Sequence, residues 1–242
     1  MTGDPPLRVL VSGGHGRLGR RVVPWLRSQG VEVHAPTRAD LDWTDPGAVH
    51  RAALGADRIL AMASWTDVRG AQRDPDGCVR DTVLTTQATL RAARHTTARV
   101  RWVGTDYSLA LDRGGTGVGW YAAAKGVAER LVLLQGGSVA RVSFITPEQV
   151  QEWSWVDGVS LSSRCWVDEL VPQLGRWVQE GIVPPVVQLG GDRPTTLADL
   201  LRSRMPDHRA LQEVVTDQET LLERGGGTRP PDTSWGEGPL KC

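Results

Sequence analysis

The chain has 242 residues, and its 28 basic and 28 acidic side chains balance to a formal net charge of zero. This length suits one α/β domain, alone or with a small appendage, and the charge balance excludes a global basic field for nucleic acid or an anionic membrane. No apolar run approaches the roughly 18 residues of a membrane span, and residues 1–6 lack a signal-peptide core, so we expect a cytoplasmic protein. Its three cysteines and five histidines are scattered, which predicts reduced thiols and no metal site.

The first 145 residues alternate short apolar runs with helical patterns. Strands are predicted at residues 7–12, 31–36, 58–63, 98–104 and 138–144. Helices are predicted at residues 18–28, 46–54, 76–95 and 120–134. This alternation is typical of a doubly wound parallel sheet, the α/β Rossmann fold that binds NAD(P).

After residue 145 the pattern becomes less regular and rich in tryptophan. A helix is predicted at residues 167–180, a strand at 186–189 and a second helix at 196–203. We interpret residues 1–145 as the dinucleotide-binding domain and 146–224 as a small C-terminal substrate-binding portion packed on it. Residues 225–242, rich in glycine and proline, are predicted to form a flexible tail.

A glycine-rich turn lies between the first predicted strand and the first predicted helix. Gly13, Gly16 and Gly19 have G-x-x-G-x-x-G spacing and enclose Arg17 and Leu18. In this context the first glycine suits a tight turn, the second lets the backbone approach a pyrophosphate, and the third allows close helix–sheet packing. The helix N-terminus then faces the negative charge, so the turn predicts dinucleotide binding.

Arg38 follows the second predicted strand, where the choice between the two dinucleotides is made. An acidic residue there would bind the ribose 2′-hydroxyl of NAD, whereas an arginine accommodates the 2′-phosphate of NADP. Because Arg38 comes first, with Arg17 nearby and Asp40 only afterwards, NADP(H) is favoured over NAD(H).

Tyr121 and Lys125 join two residue types that are rare in this chain, which has two tyrosines and two lysines. Positions i and i+4 share a helix face, so both side chains can act on one bound molecule. A nearby cation favours the phenolate, which predicts a lowered phenol pKa and a role in proton transfer. The alternative is a half-buried tyrosine beside a solvated lysine.

Four stretches resemble the extended short-chain dehydrogenase/reductase family, and within it the dTDP-4-dehydrorhamnose reductases. They are residues 12–19 (SGGHGRLG), 40–46 (DLDWTDP), 63–68 (ASWTDV) and 104–107 (GTDY). The resemblance implies an NADP(H)-dependent oxidoreductase that reduces a ketone, on a nucleotide-linked keto-deoxysugar or another biosynthetic intermediate.

The same resemblance assigns roles to individual residues. Tyr121 would protonate the carbonyl oxygen as hydride arrives, Thr105 would hydrogen-bond that oxygen, and Lys125 would hold the nicotinamide ribose. Asp42 would lie beside the adenine. The residues expected to line the cofactor at the end of the third strand are Ala61, Met62 and Ala63.

The chain departs from the family pattern at three places. Residues 61–63 read Ala-Met-Ala where family members often have Asn-Ala-Ala, and Asp81 or Thr82 replaces a relay asparagine. The loop between Thr105 and Tyr121, with its glycine-rich run at 113–119, is short, as is the C-terminal portion. These changes leave cofactor binding intact but leave the substrate open.

Candidate substrate residues flank the predicted active-site mouth. These are Trp65, Asp106, Trp120 and Phe144; the tryptophans are open to the alternative that they only pack. Trp153 and Trp155 could form a lid or cap the core. Arg164 could pair with a substrate phosphate, or it is one more of the chain's many arginines.

Two other functions compete with the reductase. The first is an epimerase or dehydratase that keeps its cofactor bound, although Tyr107 stands where related dehydratases carry an acid. The second is a non-catalytic dinucleotide sensor or scaffold, motivated by the lost asparagine and the short loop. The expected partner is a small-molecule substrate, with no nucleic acid or membrane. A homodimer is the candidate assembly, although the sequence does not determine the oligomeric state.

Overall fold

A computed structural model of the chain describes residues 5–109 and 119–217. The strands are β1 Arg8–Ser12, β2 Glu32–His34, β3 Arg58–Ala61, β4 Arg99–Thr105, β5 Ser138–Val142, β6 Phe144–Ile145, β7 Val156–Asp157, β8 Cys165–Trp166, β9 Val186–Leu189 and β10 Val214–Val215. Six of them form a fully parallel central sheet in the spatial order β2-β1-β3-β4-β5-β9.

Helices cover both faces of this sheet. They are α1 Gly19–Ser28, α2 Pro46–Ala53, α3 Gly70–Arg73, α4 Pro75–Val79, a π-helix Arg80–Leu84, α5 Thr85–Ala93, α6 Trp120–Leu134, α7 Pro147–Gln151, α8 Val167–Gln179, α9 Leu197–Arg204 and a 3₁₀ turn Arg209–Gln212. One apolar cluster packs α1 and α8 against one face, and two others pack α2, α5 and α6 against the opposite face. The predicted doubly wound α/β fold is therefore confirmed.

Helix α6 and strand β9 have the predicted bounds, but four predicted strands are shorter than expected: the first by one residue, and the second, third and fifth by two or more. The third ends at Ala61 because the next two amides, of Met62 and Ala63, donate to Ser12 Oγ at 2.9 and 3.0 Å. The fifth ends at Val142, and Phe144 begins a separate strand, since Cys165 N donates to Ser143 O at 3.2 Å and pairs β8 with β6. The predicted 76–95 helix is divided into α4, the π-helix and α5.

The C-terminal region adds two short parallel sheets, β6 with β8 and β7 with β10. Behind them lies a separate apolar cluster that includes Ile145, Val156, Trp166 and Leu201. The domain boundaries at residues 145 and 224 stay predictions. The predicted tail at 225–242 and all but the last residue of the 113–119 glycine run lie outside the described residues.

In the ranges 5–109 and 119–217 no helix is both long and apolar enough to cross a membrane. The two cysteines of these ranges, Cys78 and Cys165, are free and buried.

A buried ion pair joins α6 to β5. Glu129 and Arg141 have side chains only 3% and 8% exposed, and the guanidinium Nε donates to both carboxylate oxygens at 3.1 Å while a terminal nitrogen also contacts Glu129. Tyr121, Lys125 and Glu129 are spaced four residues apart, so they follow one face of α6. The ion pair therefore anchors the helix that carries the two candidate catalytic residues.

Replacing Glu129 tests this anchor. Glu129→Gln keeps the shape but leaves the Arg141 charge uncompensated in the interior, and we expect a loss of about 3–5 kcal/mol in the free energy of unfolding. Thermal unfolding should show this as a fall in Tm of roughly 6–20 °C. The matched control is Glu32→Gln at an exposed position of the edge strand β2. Equal melting temperatures for the two variants would show that the pair does not anchor α6.

Candidate active site

A cavity of about 840 Å³ opens at the carboxyl ends of the central strands. Strand β1 lies between β2 and β3, so the chain winds in opposite directions on its two sides, and ligands of open α/β sheets bind at such a switch point. The cavity wall contains the glycine turn, the end of β4, one face of α6 and residues of the C-terminal region.

The glycine turn forms the first wall of the cavity. Gly13 has a φ of +69°, and a Cβ there would lie 2.8 Å from Ala63 N, while a Cβ on Gly19 would lie 2.2 Å from Gly13 O. Both positions therefore exclude a side chain. Gly16 is exposed, and its Cβ would meet only Gly13 O at 3.2 Å, so its backbone stays accessible from the cavity. Leu18 lines the same wall, at the start of α1.

Two arginines border this wall. Arg17 and Arg38 are exposed, and both line the cavity. Asp40 does not line it: its carboxylate accepts hydrogen bonds from Thr37 Oγ1 at 2.6 Å and Thr37 N at 3.0 Å, which hold its pKa below the usual value. The positive charge at the end of β2 therefore faces the cavity while the acid closes a local turn.

Two of the proposed cofactor residues lie outside the cavity lining. Asp42 accepts hydrogen bonds from Thr44 N and Oγ1 at 2.8 and 2.7 Å, and these bonds lower its pKa. Ala61 is buried in the core beneath α5 and α6. By contrast, Met62 and Ala63, the next two residues along the chain, do line the cavity.

Thr105, Tyr121 and Lys125 meet in the cavity wall. Thr105 is hydrogen-bonded to the Tyr121 hydroxyl, yet burial outweighs this bond and raises the pKa of the phenol above its usual value. This direction is opposite to the lowering expected from sequence. The physical reason is burial, which removes water from the phenolate form, while Lys125 Nζ lies over the Tyr121 ring at 5.8 Å from its centroid. Tyr121 therefore holds its proton firmly at neutral pH.

Lys125 is only 5% exposed, and its ammonium also lies 5.2 Å from the centroid of the Trp102 ring. Burial removes water from the charge and lowers the pKa of Lys125 to about 8. The aromatic rings provide a partial cation–π substitute for the lost hydration. Lys125 is therefore poised between its charged and neutral forms close to physiological pH.

Of the four candidate substrate residues, Asp106 and Phe144 line the cavity, but Trp65 and Trp120 do not. The Trp65 indole donates to Asp67 O at 2.6 Å, and its ring packs with Tyr121 against a small buried cluster. Trp120 is 50% exposed. Neither tryptophan therefore contributes to the cavity surface.

The cavity also contains residues beyond the predicted site set, among them Trp153, considered from sequence as a lid or cap, and Arg164, considered as a partner for a substrate phosphate. They are Gly14, His15, Pro36, Thr37, Trp43, Ser64, Thr66, Val68, Val103, Gly104, Tyr107, Val142, Ser143, Ile145, Gln149, Trp153 and Arg164. A position at the carboxyl end of a strand could have indicated Ser64 and Ser143. Gln149, Trp153 and Arg164 reach the cavity through the short C-terminal strands and α7, for which the sequence has no periodic signal.

Comparison with known proteins places this fold and site in a family. The family model described as "RmlD substrate binding domain" matches residues 7–139, more than half of the chain. The chain belongs to the RmlD substrate-binding-domain family. The resemblance drawn from the four sequence stretches is confirmed by this match.

Two curated relatives with similar sequences share one name, dTDP-4-dehydrorhamnose reductase. The chain is 31% identical to a dTDP-4-dehydrorhamnose reductase of Mycobacterium tuberculosis over 108 residues, covering 45% of this chain and 36% of the relative. It is 40% identical to the Streptomyces griseus enzyme of that name over 78 residues, covering 31% of this chain and 25% of the relative. The matched regions thus span about a third or less of the curated relatives.

Among solved structures, the chain is similar to the dTDP-4-dehydrorhamnose reductase of Bacillus anthracis in complex with NADP. The TM-score is 0.77, the identity is 15%, and the alignment covers 96% of each chain. At this identity the likeness establishes the shared fold.

The titration of Lys125 can be measured directly because the chain has two lysines. In Lys241→Arg, Lys125 is the sole lysine, so protein grown with ¹³Cε-labelled lysine should give one titrating lysine signal. We expect a midpoint near pH 8. Unfolded lysine stays charged to about pH 10.4, so the burial penalty should be full below pH 8 and decline as the pH rises from 8 toward 10. A midpoint near 10.4 would contradict the desolvated environment of Lys125.

Proposed function

We propose that this chain is an NADP(H)-dependent oxidoreductase that reduces the ketone of a nucleotide-linked keto-deoxysugar or a related biosynthetic intermediate. The observation that carries the proposal is the meeting of Thr105, Tyr121 and Lys125 in one cavity with the glycine turn. The names of the curated relatives and of the NADP complex support the same reaction class.

The residues of the cavity fit a dinucleotide phosphate. The space at Gly16 lets a pyrophosphate approach the backbone, and the N-terminus of α1 faces the cavity with Arg17 and Arg38 beside it. Arg38 would pair with the 2′-phosphate, since Asp40 is held by Thr37 and presents no competing charge to the cavity. Lys125 would donate to the nicotinamide ribose.

When bound, the reduced nicotinamide supplies hydride to the carbonyl carbon. Tyr121 gives its phenolic proton to the carbonyl oxygen, and the product is an alcohol. The raised pKa of Tyr121 keeps that proton in place before the reaction, as a general acid requires. Thr105 Oγ1 orients the carbonyl oxygen, while Lys125, when charged, stabilises the phenolate that remains. In the oxidative direction Tyr121 acts as the base.

The second candidate is a dinucleotide-binding sensor or scaffold, which one observation favours. Thr82, in the π-helix, is fully buried with its hydroxyl 3.4 Å from Ser64 Oγ, whereas Asp81 pairs with Arg80. Thr82 is thus the residue that stands beside the cavity wall where the family pattern has the relay asparagine. The loss of that asparagine is what favours a non-catalytic protein. An epimerase or dehydratase has less support, because Tyr107 occupies the position of the eliminating acid.

Within this proposal the region after residue 145 supplies the substrate side of the cavity through Gln149, Trp153 and Arg164. The enzyme would work in the cytoplasm on a small molecule, without nucleic acid or membrane, as a monomer or homodimer.

Removing the phenol of Tyr121 tests the general acid. For Tyr121→Phe we expect kcat for NADPH-dependent ketone reduction to fall by about 10²–10⁴-fold, because the proton donor is lost while the ring remains. The measurement is NADPH absorbance across a carbonyl panel that includes nucleotide-activated keto-sugars. Unchanged NADPH affinity and melting temperature serve as the control. Equal turnover by the variant and the wild type would exclude Tyr121 as the acid, and no turnover by the wild type would favour the sensor.

Cofactor choice can be read from thermal stabilisation. At matched concentrations we expect NADPH to raise the melting temperature more than NADH, because the ligand that binds more tightly stabilises the folded state more. Arg38→Gln should weaken NADPH binding by roughly 10- to 100-fold through loss of a charge-assisted bond, and leave NADH binding nearly unchanged. The matched control is Arg51→Gln, an exposed arginine outside the cavity. A larger shift with NADH would overturn the assignment of NADP(H).

A further inference from the structure

Arg164 enters the cavity from the C-terminal region at a position set by strand pairing. It directly precedes β8, whose Cys165 pairs with Phe144 of β6, so Arg164 stands opposite Ser143. The half-buried guanidinium lines the cavity and donates from Nε to Ser143 Oγ at 3.3 Å. The position of Arg164 is therefore fixed by the pairing of β8 with β6, unlike that of an exposed and mobile side chain.

The backbone at Arg164 is held closely by the turn after β9. Gly191 N donates to Ser163 O at 2.8 Å, and a Cβ on Gly190 would lie 2.2 Å from the same oxygen. Gly190 in turn exchanges two hydrogen bonds with the Gln173 side chain of α8. Arg164 is thus presented by a rigid frame, as expected for a residue that recognises a ligand.

Tyr107 connects the Arg164 guanidinium to Tyr121, the proposed proton donor. Arg164 is hydrogen-bonded to the Tyr107 hydroxyl, and the Tyr107 and Tyr121 rings meet edge to face with centroids 5.6 Å apart. Arg164 is therefore separated from the proton donor by one aromatic side chain.

Within residues 5–109 and 119–217, the Arg164 guanidinium is hydrogen-bonded to two neutral hydroxyls, those of Ser143 and Tyr107. Within the described part of the chain no carboxylate lies at ion-pair distance from its guanidinium, whereas Arg141 and Arg204, the arginines of β5 and α9, contact carboxylates. Asp106 and Asp157 influence the pKa of Tyr107, but the Asp157 carboxylate accepts from Val159 N and Ser160 N. A half-buried guanidinium whose described hydrogen-bond partners are hydroxyls has donors that can bind an anionic ligand.

We propose that Arg164 is a specificity-determining residue that binds an anionic group of the substrate, on the side of the cavity where Tyr107 alone separates it from Tyr121. The proposal rests on the reductase function above and deepens it. Anionic oxygens, from a phosphoryl group or from a ring carboxylate, fit the planar fork of the guanidinium. A neutral ketone leaves that charge desolvated and without a partner, so the site discriminates against it.

Binding measurements with defined anions test this role without requiring turnover. Calorimetric titrations use UDP-glucose, UDP-glucuronate and free glucuronate as probes, each at saturating NADP⁺, which occupies the glycine turn and its arginines. The proteins are the wild type, Arg164→Gln, Arg164→Lys and the control Arg176→Gln, an exposed arginine of α8 outside the cavity. Melting temperature and NADPH affinity show that each variant is folded with an intact cofactor wall.

We expect at least one probe to bind the wild type, and Arg164→Gln to weaken it by roughly 10- to 100-fold. Arg164→Lys should recover part of the loss, and the control should match the wild type. Equal losses for UDP-glucose and UDP-glucuronate assign the phosphoryl group as the anion. A larger loss for UDP-glucuronate assigns the carboxylate. Equal affinities of wild type and Arg164→Gln for every probe, or binding of none of them, overturn the proposal.

This outcome is separable from failure of the reductase function. If NADPH is consumed with neutral ketones but anions do not distinguish Arg164→Gln, the reductase stands and the anion site is wrong. If anion binding depends on Arg164 while no ketone in the panel consumes NADPH, the anion site stands and the reductase is wrong.

Discussion

The buried pair between Glu129 and Arg141 is the contact on which the geometry of the site depends. It joins α6 to β5, and Tyr121 and Lys125 lie on the same face of that helix, two turns and one turn before Glu129. Since β5 also pairs with β4, whose last residue is Thr105, one contact sets the helix against both strands. Two charges would not stay buried there without each other, so the register of α6 is strongly specified.

The same low-dielectric interior sets the protonation states in the cavity. It raises the pKa of Tyr121 and lowers the pKa of Lys125 to about 8, because in each case the charged form loses its water. Both shifts favour neutral groups before ligands bind. A reductase benefits from this state, since its acid must arrive protonated, and an anionic or hydroxyl-rich ligand beside Lys125 would restore the lysine's charge.

Features that depend on neighbouring residues in the sequence were predicted correctly, whereas features that depend on distant residues were not. The periodic apolar pattern of α6 and the place of the glycine turn between β1 and α1 depend on neighbouring residues, and the structure has both where the sequence predicted them. The end of β3 depends on Ser12, some fifty residues away, and the separation of Phe144 from β5 depends on Cys165. The pKa of Tyr121 was expected in the wrong direction because spacing along a helix does not reveal how deeply the pair is buried.

The two sides of the cavity differ in how they relate to the family. The family match ends at residue 139, and before that point lie the glycine turn, Thr105, Tyr121 and Lys125. The opposite wall, which includes Phe144, Gln149, Trp153 and Arg164, comes entirely after it. In the proposed reductase, hydride transfer needs only the first wall, whereas substrate choice requires contacts from the second. A relative that shares the first wall can therefore share the reaction class while a different second wall selects another molecule, so the substrate must be sought through the residues that follow β5.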